Sequence, residues 1–129
     1  MGSVGAAKNN AGSGFRTEDE FERQLTDFND PRLQQYSNAY NEVNQYTQNL
    51  RNNMQRSIAE DGYDDFTDTL LQSEKNTAQR QLDNMPEYKT PAQLGEYKAL
   101  QERLDIIQEL RKQKGAKGRG REAFEVPIV

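Results

Sequence analysis

The chain has no cysteine, no histidine and no tryptophan. Without cysteine there is no disulfide, no thiolate nucleophile and no soft metal ligand. Without histidine, the residue that most often moves protons near neutral pH is missing. Catalysis would have to rest on carboxylates, lysine or serine, and Asp64 and Asp65 are adjacent rather than spaced to face each other. The Gly118-Arg119-Gly120 run follows no strand signal and opens no helix, so no phosphate-cradling loop is present. No enzyme and no cofactor is expected. The acids of Glu60–Asp68 lack the alternate spacing of a calcium loop, so no metal is expected either.

Large apolar residues are scarce. Leu, Ile, Val and Phe number 23 of 129, below the share of roughly 20% that usually accompanies a well-built core. Disordered chains normally pair such poverty with high net charge, and here the net charge is only −4. No apolar run approaches the roughly 20 residues of a membrane span. No signal-peptide core follows Met1, and Ala6 stands where a myristoylation motif wants Ser or Thr. Synthesis in a cytoplasm, without membrane or small-molecule partners, is the expectation.

What the chain does have is helical periodicity. Asp30 and Pro31 make a helix start, a side-chain cap followed by a residue whose missing N–H costs nothing there. Leu33, Tyr36, Tyr40, Val43, Leu50, Met54 and Ile58 then recur at three- and four-residue steps, with Thr47 filling the gap in the series. This predicts one long amphipathic helix over 31–59, stopped by Gly62. Asn and Gln total 24, and 11 of them fall between Gln34 and Gln55, keeping the outer face wet without charge repulsion. Thr17 and Glu20 form a capping box ahead of Phe21, Leu25 and Phe28, predicting a short helix over 18–29. Asp64 or Asp65 caps a helix over 65–84 whose apolar positions are Phe66, Leu70, Leu71, Ala78, Leu82 and Met85, thinning between Ser73 and Thr77. Thr90-Pro91-Ala92-Gln93 is a second capping box. Leu94, Tyr97, Leu100, Leu104, Ile107 and Leu110 follow, predicting a helix over 91–114 that ends at Gly115.

The expected fold is all-α: a short helix, a long amphipathic helix and two further antiparallel helices in a bundle or coiled-coil-like arrangement, with extended N- and C-terminal tails. Residues 1–16 read as a glycine-rich arm, 17–114 as the helical body and 115–129 as a basic, then apolar, tail. Ordering each residue costs about 1–2 kcal/mol. With so few large apolar residues, stable structure is expected to need oligomerisation or a larger partner.

Residues 1–110 carry 11 basic and 19 acidic side chains, and 111–129 carry six and two, so an acidic body of −8 bears a basic end of +4. Lys114, Lys117, Arg119 and Arg121 are candidates for contact with phosphates or an acidic protein surface. Phe124, Val126, Ile128 and Val129 form an apolar end in which Pro127 blocks helix, and docking on another chain is the expected use. Tyr36 and Tyr40 fit two roles, interface anchors or half-buried core residues with wet hydroxyls. The expected partners are other protein subunits, in a homo-oligomer or a larger assembly, with nucleic acid as a minor partner through the basic tail. The competing readings are a small regulatory or inhibitory helical module and a nucleic-acid-associated protein.

The glycine-rich start, the amide-rich amphipathic helices, the lack of cysteine and the basic and apolar end segments together resemble the small accessory proteins of tailed-phage virions. The resemblance is one of composition and carries over no functional residue. It implies a structural head, connector or tail subunit present in several copies, localised to the virion.

Overall fold

The structure, a computed structural model, describes residues 14–119. Among the described residues it is an all-α bundle of four helices: α1 (Glu18–Gln24), α2 (Pro31–Asp61), α3 (Asp65–Asp83) and α4 (Pro91–Arg111). Among the described residues there is no strand, and none of the helices is long and apolar enough to cross a membrane.

Each helix starts where a local cap dictates. Asp30 accepts the N–H of Arg32 at 2.9 Å, and Asp64 accepts that of Thr67 at 2.8 Å. Thr90 and Gln93 close the reciprocal capping box at 3.1 and 2.9 Å. The stop of α2 is Gly62, whose N–H donates to the carbonyl of Ile58 at 2.8 Å with φ at +86°. At about 1.5 Å per residue, the 31 residues of α2 span about 46 Å. Amide pairs one turn apart, Gln34–Asn38 at 2.8 Å and Gln72–Asn76 at 3.0 Å, bind the outer faces of α2 and α3 to themselves without charge.

α4 is the centre of the body. It packs along α2 on one side and against α3 on the other, whereas α2 and α3 scarcely touch. α2 and α4 run parallel, since Gly95 lies on Tyr36, Arg103 on Val43 and Thr47, and Gln113 on Gln55. α3 runs the other way, with Arg111 of α4 reaching Gln72 and Asp68. Gly95 sets the closest approach. A Cβ there would lie 2.3 Å from the carbonyl oxygen of Tyr36, so only glycine admits the backbone of α2.

Two apolar clusters result. Leu50, Met54, Leu71, Ile107 and Leu110 fill the end near the α2–α3 turn, with Tyr63, Leu70 and Ile106 against them. Phe15, Phe21 and Leu94 fill the other end, with Leu25 and Tyr36. Phe15 is held by an antiparallel bridge, exchanging backbone bonds with Lys89 at 2.7 and 2.8 Å, and its ring meets Phe21 edge-on at 5.2 Å.

The structure corrects several sequence expectations. α1 ends at Gln24 instead of 29, and Phe28 is 95% exposed rather than continuing an apolar face. Thr26 to Asp30 are poor helix formers, and Asp27 folds them into a turn, its carboxylate accepting the Asn29 N–H at 2.9 Å and its carbonyl the Asp30 N–H at 3.1 Å. Of the expected apolar positions of α3, Leu71 and Ala78 are buried and Leu70, Leu82 and Met85 half-buried, but Phe66 stays 69% exposed and Thr67 takes the buried place beside it. The stripe through Phe66 and Leu70 meets Ser73 and Thr77 next, so it has nothing apolar to continue it. α4 ends at Arg111, short of 114, and its last carbonyls are closed by turns through Gly115, at φ +92°. Beyond it, residues 116–119 fold back on the end of α2 instead of extending away: Tyr63 N–H donates to Ala116 at 3.0 Å and Arg119 N–H to Ala59 at 2.8 Å.

Candidate interaction surfaces

The helices α2 and α3 are joined by a short turn at 62–64 and part company away from it. The opening between them is a groove of about 680 Å³ with α4 as its floor. α2 contributes Glu42, Val43 and Tyr46. α3 and the chain after it contribute Glu74, Thr77, Gln81, Asn84, Met85 and Pro86. Gln93, Glu96, Leu100 and Arg103 of α4 lie beneath.

Arg103 is 7% exposed, on a helix face otherwise made of Leu100, Ile107 and Leu110. Its guanidinium donates to the Thr47 hydroxyl at 2.7 Å and to the Val43 carbonyl at 3.1 Å, and stacks on the Tyr46 ring at 4.6 Å. Burial pulls its pKa below the ordinary arginine value, and the guanidinium stays charged because arginine starts so high. The layer of Thr47 and Arg103 separates the two apolar clusters. It was not foreseen, although Thr47 in the α2 stripe and an arginine between Leu100 and Ile107 were the signal: two polar residues, each at a core position.

Four tyrosines donate to carboxylates. Tyr36 bonds Glu18 of α1, Tyr40 bonds Glu102 of α4, Tyr46 bonds Glu74 of α3 and Tyr63 bonds Asp68. All four phenols are pushed above the ordinary tyrosine value. For Tyr36 and Tyr63 burial is the largest cause, and for Tyr40 and Tyr46 it is the hydrogen bond to the carboxylate. Tyr36 and Tyr40 are half-buried, and their hydroxyls are engaged within the chain rather than offered to a partner.

Of the basic residues, Lys114 lies 3.6 Å and Arg111 3.5 Å from Asp68, which is held below the usual carboxylate range by the Tyr63 hydroxyl first and then by these two cations. Lys117 is exposed, and Arg119 is anchored through its backbone on Ala59. Part of the basic segment is therefore answered by the chain's own acids. Arg121, Phe124, Val126, Ile128 and Val129 lie outside the described residues. Among the described residues, no group of three or more acids, histidines or cysteines is placed to hold a metal ion. No family model matches the chain, and no curated protein or solved structure matches it.

Proposed function

We propose that the chain is a non-enzymatic structural subunit that acts through protein–protein contacts within a multi-copy assembly. The observation that carries this reading is the pair of phenylalanines left outside the fold, Phe28 at 95% and Phe66 at 69% exposure. They flank α2, one in the turn before it and one just after it, so a helix of about 46 Å separates them. Phe28 stands beside Leu25 and Leu33 over a recess of about 370 Å³. An apolar contact at each end of a stiff rod joins a subunit to neighbours on both sides. Such head-to-tail contacts close into rings or run on as filaments. The two small, separate apolar clusters support the same reading, because a thin interior gains stability from bound neighbours. A tailed-phage virion is the setting that the composition suggests for such a subunit.

The test is gel filtration with light scattering over a concentration series, on the full chain and on Phe28→Ser and Phe66→Ser. The expected result is an assembled species that both substitutions dissolve, with circular dichroism unchanged and stability altered by no more than about 0.5 kcal/mol, as at exposed sites generally. A monomer at every concentration, indifferent to both substitutions, would refute it.

A further inference from the structure

We infer that the groove between α2 and α3 receives a basic amphipathic helix from another protein. The inference rests on the protein-contact reading above, but it uses a different surface from Phe28 and Phe66. The shape is that of a bundle lacking one helix: a helical floor, two helical walls and an open top. The α3 wall from Glu74 to Asn84 is about 15 Å long at 1.5 Å per residue, which matches about three turns of an incoming helix. Val43, Met85 and Leu100 supply apolar seats for side chains spaced three and four residues apart.

Charge selects the partner. Glu42 on one wall and Glu96 on the floor make no hydrogen bond or ion pair among the described residues, whereas Glu74 accepts from the Tyr46 hydroxyl and lies in the field of Arg103. The one cation in the groove, Arg103, is already engaged by Thr47, Val43 and the Tyr46 ring. Lysine or arginine flanking an apolar stripe answers these carboxylates, while an acidic helix or a nucleic-acid backbone is repelled. A small apolar ligand suits the groove poorly, because three carboxylates line it and it is open along its length. The chain's own basic residues Arg111 and Lys114 sit at the other end of the body, on Asp68.

The experiment is fluorescence anisotropy with a synthetic amphipathic peptide of about 14 residues, leucine every three or four positions and lysine on both flanks, and a twin carrying glutamate in place of lysine. The full chain should bind the lysine peptide, more weakly as salt rises. Reversal at Glu42→Lys with Glu96→Lys should weaken binding at least about tenfold and confer binding of the glutamate peptide. The milder pair Glu42→Gln with Glu96→Gln should weaken it in the same direction without burdening the fold. Reversal at the exposed Glu22→Lys with Asp105→Lys, equal in charge but away from the groove, should change nothing. Equal binding by all variants, or no binding by the parent, overturns the inference. Phe28→Ser and Phe66→Ser should leave peptide binding intact. A parent chain that stays monomeric yet binds the lysine peptide therefore sinks only the subunit reading, and one that assembles through Phe28 and Phe66 but binds no peptide sinks only the groove.

Discussion

Replacing Gly95 by alanine should destabilise the protein, against the usual sign of that substitution in a helix. At an ordinary interior site, glycine to alanine gains about 1 kcal/mol. At Gly95 the added Cβ would stand 2.3 Å from the carbonyl oxygen of Tyr36 and 3.0 Å from the backbone nitrogen of Tyr40. These are backbone atoms in the middle of α2 and cannot swing aside as a side chain would. Since carbon–oxygen contacts settle at about 3.3 Å, α2 and α4 must part by about 1 Å. A gap of that size forfeits a quarter to a half of the dispersion attraction across it. Overpacking generally costs about 1–3 kcal/mol, occasionally more, and the parallel contact between α2 and α4 is the largest in the body. The net loss is on the order of 2 kcal/mol after the propensity gain, which for a domain of this size lowers Tm by on the order of 8–16 °C. Urea and thermal unfolding followed by far-ultraviolet circular dichroism read it, with the exposed α4 substitution Gln101→Ala as the control. If Gly95→Ala unfolds at the same midpoint as the parent or a higher one, the close approach of the two helices is refuted.

Three further outcomes follow from the same geometry. Arg103→Lys should cost about 1–3 kcal/mol, because an ammonium cannot serve Thr47 and Val43 together while stacking on Tyr46, and denaturant midpoints would show it. Stability should be flat from about pH 5 to about pH 9, since no histidine or cysteine titrates there. The raised phenols of Tyr36, Tyr40, Tyr46 and Tyr63 hold stability in full below about pH 10, and it is lost as pH climbs through their folded values, because the unfolded chain ionises first. The depressed carboxylates of Asp30, Asp64 and Asp68 act oppositely: their contribution is full above about pH 4 and is lost as pH falls through their folded values. A pH series of Tm with tyrosinate absorbance tests both limbs, and a fall between pH 6 and 8 would contradict them. Finally, a Cβ at Gly118 would lie 2.4 Å from Glu60 O and Gly62 N, so Gly118→Ala should free residues 116–119 and speed exchange of the Tyr63 amide while leaving helix content unchanged.

Helix starts were legible in the sequence because caps are local: Asp30 before Pro31, Asp64 before Asp65, and Thr90 with Gln93 each declare themselves within four residues. The long stripe of α2 was legible for the same reason, through its period. The packed face of α3 was legible at Leu71 and Ala78 but not at its start, because Phe66 and Thr67 begin two overlapping stripes and the choice depends on what α4 presents. The groove was invisible too. It exists because Gly95 draws α4 onto Tyr36, a contact between residues 59 positions apart that leaves α3 to pack on α4 alone. Arg103 and Thr47 were each readable as anomalies and became a site only once the two helices were laid side by side.

The parallel pairing of α2 with α4 also governs when the molecule can fold. An up-and-down bundle whose neighbours in sequence are neighbours in space can zip as it is made. Here the main partner of α2 is completed 50 residues after α2 itself ends, and α3, made in between, offers it almost nothing. At ribosomal rates of about 5–20 residues per second, the apolar stripe of α2 stands uncovered for a few seconds in every round of synthesis. Over that interval the amides of its outer face keep the nascent helix soluble, and the stripe through Leu50, Met54 and Ile58 is open to whatever apolar surface arrives first.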